Sequence, residues 1–280
     1  MRILALAAAA ALAVQLGAVQ PGAAQKAGPA DPAPLKHSFA WGIDYGTDAC
    51  TLSMSFGTGA DMVSLGFIPL TGGGSVKIAI IGNAQARLRG SGSAMLVSGA
   101  EARGKRAYYS LTDPKTSKPV ALIKATRGDL PAIAASKALT LRTDRDVVAF
   151  ALPGMPAALK ALEACETDLA RTWGYDPALV ATPAKPIEPW KWLTGDDYPR
   201  SAMEDKNGGE TDLRVTVGLD GAPTGCLVTL KSESEMLDRR ACTAVMSRAR
   251  FEPAMGTDGK PAPGLYATAV LWMVPRMGTY

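Results

Sequence analysis

From Thr51 onward apolar side chains fall on every second position. Leu52, Met54 and Phe56 alternate with Thr51, Ser53 and Ser55; Val63, Leu65 and Phe67 repeat the pattern, then Val76, Ile78 and Ile80, then Ala86 and Leu88. A period of two puts one set of side chains on one face of a strand. Glycine-rich breaks separate the runs at Gly57-Thr58-Gly59, Gly72-Gly73-Gly74 and Gly90-Ser91-Gly92. Short strands with regularly spaced turns predict an antiparallel sheet folded as a sandwich or barrel. Ala107 to Leu111, Val120 to Ala125, Leu139 to Thr143 and Val147 to Leu152 continue the pattern. Leu130 to Ser136 reads as a short helix with Asp129 as its cap and Pro131 in its first turn. From Pro156 the period changes: Leu159, Leu162, Cys165 or Glu166, Leu169 and Trp173 share one helical face, and Gly174 ends the helix.

A second patterned region follows residues 176–190, where Pro177, Pro183, Pro186 and Pro189 predict a linker. Tyr198 to Met203 opens a short helix that Gly208-Gly209 ends. Leu213, Val215, Val217 and Leu219 alternate up to Asp220-Gly221, a strong hairpin signal. Cys226, Val228 and Leu230 form the returning strand. Ser234 is placed to cap a helix whose apolar stripe is Leu237, Ala241, Val245 and Ala249. A last strand runs from about Leu265 to Val274. The fold class read from these patterns is α+β: a β-rich sandwich or barrel over 41–175 closed by a helix, then a small α+β domain over 191–275.

The beginning of the chain is an address. Met1-Arg2 precedes an apolar run from Ile3 to Val14, and small residues follow through Ala24. A positive start, a short apolar stretch and a small-residue exit predict a signal peptide over 1–24, cleaved near Ala24. An uncleaved inner-membrane anchor, extended through Leu16 to Val19, is the alternative. No cysteine precedes Cys50, which argues against a lipid-modified terminus. Residues 25–40 are rich in Ala, Pro and Gly and read as a flexible lead-in. Periplasmic export suits the four cysteines, since an even number in an oxidising compartment predicts disulfides. Three pairings are open on count alone. Cys165 lies beside the helical stripe that faces the sheet, where Cys50 starts a strand; Cys226 and Cys242 sit on a strand and the helix packed on it. The expected bridges are therefore Cys50–Cys165 and Cys226–Cys242.

Composition removes most chemistry. The 280 residues hold one histidine, His37, in the lead-in. Serine–histidine, cysteine–histidine and multi-histidine metal sites would all need it. No Gly-x-Ser-x-Gly, Ser-x-x-Lys, His-Glu-x-x-His or Walker pattern occurs, and the cysteine spacing matches no zinc site. Catalytic residues, cofactors and metals are therefore expected to be absent. The carboxylate pairs Asp144/Asp146 and Asp196/Asp197 could serve a hydrolase of envelope polymers only in a cleft, and otherwise read as surface acids. Trp190 and Trp192 read as packing anchors. The formal charge of +4 is too small to predict nucleic-acid binding. Its densest positive stretch is Arg103, Lys105, Arg106, Lys115, Lys118, Lys124 and Arg127. That stretch reads as a solvated edge, or else as a weak contact for anionic lipid or cell-wall polymer.

The C-terminal residues resemble the C-terminal domain of the TonB family of energy transducers. The matching pieces are Tyr198-Pro199, Gly208-Gly209 before a valine-rich strand, Asp220-Gly221, Leu237-Asp238, Arg250-Phe251-x-Pro253-Ala254 and Gly259-x-Pro261. They span about 190–275. The resemblance implies a three-stranded antiparallel sheet with two helices on one face. It also implies a partner: a short segment of an outer-membrane receptor, or of another envelope protein, added as a strand beside the last one. The corresponding residues here are Tyr266, Ala267, Thr268, Ala269, Val270, Leu271 and Trp272. Ser232-Glu233-Ser234 departs from the family's Ser-Ser-Gly, and a β-rich domain stands where transducers carry a long Pro-rich spacer. The function this implies is an exported periplasmic binding protein; a membrane-anchored transducer is the alternative. Oligomeric state is open, a homodimer included.

Overall fold

A computed structural model describes residues 32–38, 40–82, 88–112 and 118–274. The signal segment, and the predicted positions Ala86 and Lys115, lie outside the described residues. The first nine strands are β1 (Gly42–Tyr45), β2 (Cys50–Phe56), β3 (Val63–Pro69), β4 (Ser75–Gly82), β5 (Ser91–Ser98), β6 (Glu101–Thr112), β7 (Pro119–Thr126), β8 (Ala138–Arg142) and β9 (Val147–Ala151). They form one antiparallel sheet in the order β1-β2-β3-β4-β7-β6-β5-β8-β9. Leu35 bridges Phe150 in β9 and His37 bridges Phe56 in β2, so the lead-in ties the far end of the sheet back to its beginning. The sheet curls around its apolar face, as the alternation requires.

That concave face carries Leu52, Phe56, Leu65, Phe67, Ile78, Ile80, Ile123, Leu139 and Phe150, all buried. Helices α1 (Leu130–Ser136) and α2 (Met155–Thr172) fill it, with Ile133, Leu159, Leu162 and Cys165 in the same core. The Cys50–Cys165 bridge closes a separation of 115 residues. By loop entropy such a constraint is worth about 4–5 kcal/mol. Asp129 does not cap α1 as expected. Its carboxylate is already engaged by the Thr126 N–H and hydroxyl and by Arg106, in a capping box around the preceding turn.

Residues 180–187 form β10 (Val180–Thr182) and β11 (Lys185–Ile187). The helices α3 (Arg200–Glu204) and α4 (Glu235–Arg248) follow, with β12 (Gly209–Val217) and β13 (Pro223–Leu230) between them. Last come β14 (Arg250–Glu252), β15 (Ala254–Gly256), β16 (Pro261–Ala262) and β17 (Gly264–Trp272). The pairs β10–β15 and β11–β14 fasten the Pro-rich stretch onto the C-terminal residues. The main sheet here is β13-β12-β17, with α4 on one face. Leu237, Ala241 and Val245 of α4 share a core with Leu213, Val215 and Val217 of β12, and beside them is the aromatic cluster of Trp192, Phe251 and Tyr266. The Cys226–Cys242 bridge staples β13 to α4. Both expected bridges are present, and the fold class is α+β.

Ser234 precedes α4 but makes no side-chain cap. Asp238, in the first turn, instead reaches back to accept from the Ser232 N–H and the Thr211 hydroxyl. Gly221 is required by close approach. Its φ is +79°, and a Cβ would collide with the Phe251 carbonyl, whose own N–H donates to the Gly221 carbonyl at 2.9 Å.

Candidate functional site

The seven residues Tyr266 to Trp272 all lie in β17. This strand pairs with β12 in unbroken antiparallel register, from Val217 opposite Gly264 to Gly209 opposite Trp272. It is the last strand of its sheet, so its other side carries no strand. Among the described residues no hydrogen bond from another segment reaches that outer side.

Which residues present their backbone outward follows from two contacts. The Trp272 carbonyl oxygen lies on the β12 side, 2.9 Å from where a Gly208 Cβ would be. In an antiparallel strand the N–H and C=O of one residue point the same way, and successive residues alternate. Tyr266, Thr268, Val270 and Trp272 therefore serve the β12 ladder; Leu265, Ala267, Ala269 and Leu271 face outward. The Ala267 carbonyl agrees: it meets the Gly73 turn of the large sheet, where any Cβ would collide with it. That turn buries Leu265 and Ala267, whereas Ala269 and Leu271 are half-buried. The open part of the edge is thus short, two outward residues offering two donors and two acceptors. A groove of about 670 Å³ opens beside Leu265 and Tyr266, between the Gly72–Gly74 turn and Pro183, Pro186 and Tyr175.

Side chains alternate too. Tyr266, Val270 and Trp272 join the core under α4, while Leu271 packs against the cluster of Ala79, Tyr109, Val120 and Leu122 on the large sheet. The C-terminal sheet therefore has both faces covered: α4 on one, the convex face of the nine-stranded sheet on the other. Polar residues of β12 hold this second contact. Lys77 of β4 pairs with Glu210 at 2.6 Å and with Asp212. Tyr109 donates to Glu210, and Lys124 approaches it at 3.6 Å. Arg214 pairs with Asp48 at 3.2 Å and lies 3.7 Å over the Trp173 ring. Burial works against the Glu210 charge, but Lys77 and the Tyr109 hydroxyl outweigh it and hold the carboxyl below its ordinary value. For Asp212 burial wins over Lys77, with Glu210 adding to it, and the carboxyl is pushed up to about 6. Burial, then the Glu210 charge, also drives the Tyr109 phenol far up.

The other candidate residues scatter. Asp144 and Asp146 occupy the β8–β9 turn, Asp144 exposed and Asp146 half-buried. Asp197 is no surface acid: it is 1% exposed. Arg248 takes both its oxygens, at 2.6 and 2.7 Å, Arg240 adds a 2.7 Å contact, and the Thr194 N–H donates at 2.8 Å. These bonds, Arg248 first, hold its carboxyl well below the usual range. Trp192 is a packing anchor, but Trp190 is 71% exposed and is not. The basic stretch is largely met by acids: Arg103 by Glu101, Arg106 by Asp129, Lys124 by Glu210 and Arg127 by Glu166. No group of three or more His, Cys, Asp or Glu side chains is placed to hold a metal ion among the described residues.

No curated protein matches the chain. Residues 195–272, which include all three strands of the C-terminal sheet, match the family model for the C-terminal domain of the Gram-negative bacterial TonB protein.

Proposed function

We propose that this is an exported envelope protein whose C-terminal domain captures an extended segment of an outer-membrane receptor, or of another envelope protein, by adding it as a strand beside β17. The open outer side of β17, within residues that match a protein-interaction domain family, carries this reading. Strand addition needs unpaired backbone groups rather than reactive side chains. Ala269 and Leu271 supply them. At about 0.5–1.5 kcal/mol net for each hydrogen bond, four bonds give only weak attachment. Side chains of the bound segment must add to it, and the groove beside Leu265 and Tyr266 is the nearest place for them.

Residence in the periplasm after cleavage near Ala24 belongs to the same proposal. Docking of the C-terminal sheet on the large sheet favours it over a transducer, since a domain held this way does not reach across the periplasm on a spacer. Among the described residues no helix is long and apolar enough to cross a membrane. Mass analysis of the mature N-terminus tests localisation: a chain starting near Gln25 in the soluble periplasmic fraction supports it, and an intact Met1 in the inner-membrane fraction overturns it. Titration with receptor N-terminal peptides tests the binding.

A further inference from the structure

The C-terminal sheet has a second end strand, β13, which pairs with β12 alone. Gly209, Thr211, Leu213 and Val215 of β12 stand opposite the β17 residues that serve that ladder, so Arg214 and Thr216 turn their backbone the other way, toward β13. Arg214 is opposite Leu227 and Thr216 opposite Gly225. Gly225 and Leu227 therefore complete the β12 ladder, and the N–H and C=O of Cys226 and Val228 face outward. Among the described residues no backbone hydrogen bond from another segment reaches either one. The register shifts on both sides of this stretch, so the regular part of the edge runs from Gly225 to Val228.

The side chains around this edge are apolar and exposed. Leu227 is 46% and Leu230 41% exposed, and Leu219 of the preceding turn is exposed as well. Met246, also exposed, lies one turn of α4 from Cys242, which the disulfide holds against β13. Open strand edges are commonly guarded by charges. Here the ten residues Gly221 to Leu230 carry none. An exposed apolar patch of this kind marks an interaction surface.

The charge pattern says what fits it. In a two-fold interface each group near the axis meets its own copy, so a charge there meets a like charge. An uncharged run is free of that penalty. It is bounded by Asp220 before and Lys231 after, both exposed and without an ion pair among the described residues. An antiparallel copy turns the Lys231 end of one strand toward the Asp220 end of the other. The edge is therefore complementary to itself.

We propose that two copies of this chain associate through β13, antiparallel about a two-fold axis at Leu227. Cys226 of each copy then pairs with Val228 of the other, Leu227 packs on Leu227, and two three-stranded sheets become one continuous sheet. Strand β17 lies at the opposite side of each sheet, so Ala269 and Leu271 stay open in the dimer.

The test is sedimentation of the purified protein from about 1 to about 200 µM, the range in which a short strand pairing associates. The mass is expected to rise with concentration toward twice that of a single chain. Leu227→Lys sets two like charges against each other at the axis, and with its fold checked by circular dichroism it is expected to raise the dissociation constant about tenfold or more. Hydrogen exchange on the unaltered protein guards against a misfolded variant. The Cys226 and Val228 amides should exchange more slowly as concentration rises, while those of Ala269 and Leu271 do not change. A single-chain mass throughout, undiminished association of a folded Leu227→Lys protein, or slowed exchange at Ala269 and Leu271 in place of Cys226 and Val228 would each overturn the assignment.

Discussion

Replacing Asp212 with asparagine removes one charge from between the two sheets and leaves Lys77 facing Glu210 alone. Burial raises the Asp212 carboxyl, Lys77 only partly offsets this, and the neighbouring Glu210 adds to it; the result is about 6 against an ordinary 3.8. The folded protein therefore holds this proton more tightly than the unfolded chain does. Well below pH 3.8 the group is neutral in both states and costs nothing. As pH rises toward 6 the unfolded chain loses the proton first, so stability falls through this window, and the full cost is present above it. The interval corresponds to at most about 3 kcal/mol at 1.36 kcal/mol for each pH unit. Glu210 has the opposite sign: its lowered value contributes stability that is lost only as pH falls through that value. Both proteins carry Glu210, so its contribution largely cancels in their difference. Urea unfolding at pH 4, 5, 6 and 7, extrapolated linearly, should show the asparagine protein gaining on the parent by up to about 3 kcal/mol across the series. A flat difference, or a parent that gains on the variant as pH rises, would refute the conclusion that burial at this contact raises the Asp212 carboxyl.

The remaining expectations concern what holds each region. Cys226→Ala with Cys242→Ala opens a loop of separation 16 and should cost about 3 kcal/mol in denaturant unfolding, against about 4–5 for Cys50→Ala with Cys165→Ala. A smaller loss for the longer loop would contradict the entropic account. Arg248→Ala leaves the buried Asp197 with Arg240 as its one cation and should cost about 1–3 kcal/mol by chemical denaturation; no loss at pH 7 would mean that Arg240 and the Thr194 N–H suffice. Phe251→Ala empties a 4% exposed position between Trp192 and Tyr266 and should cost about 3–5 kcal/mol. A cost below about 1 kcal/mol would show that the aromatic cluster closes over the gap.

Local periodicity carried much of the fold. Leu52, Met54 and Phe56, or Leu213, Val215 and Val217, announce both a strand and its buried face, and Gly221 after Asp220 announces its hairpin. The disulfides were legible because each cysteine sat on or beside the apolar side of its element. The docking of the two sheets was not. Glu210, Asp212 and Arg214 occupy the polar positions of β12 and look like a solvated face; their partners Lys77, Tyr109 and Asp48 stand over a hundred residues earlier, and no periodic pattern links them. Asp197 escaped for the same reason, since Arg248 and Arg240 come from a helix more than forty residues away. At Asp129 the cap residue type was right, but the turn at Thr126 already holds its carboxylate; Ser234 stands at the start of its helix without a side-chain cap, and Asp238 ties that end to Ser232 and Thr211. Of the candidate edge, the sequence supplied the strand; that only Ala269 and Leu271 remain open depends on the Gly73 turn, which no local pattern places there.

Strand addition at β17 is tested most directly by titrating the purified protein with N-terminal peptides of outer-membrane receptors, in parallel with Ala269→Pro and Ala269→Ser. Proline removes the outward N–H of Ala269 and spares the β12 ladder, which uses Thr268 and Val270; serine keeps the N–H. Peptide affinity should fall about 10- to 100-fold for the proline protein, the loss expected for one unmet ladder donor, and stay near the parent value for the serine protein. Undiminished binding by a folded proline variant, or no receptor peptide bound by the parent, would contradict it.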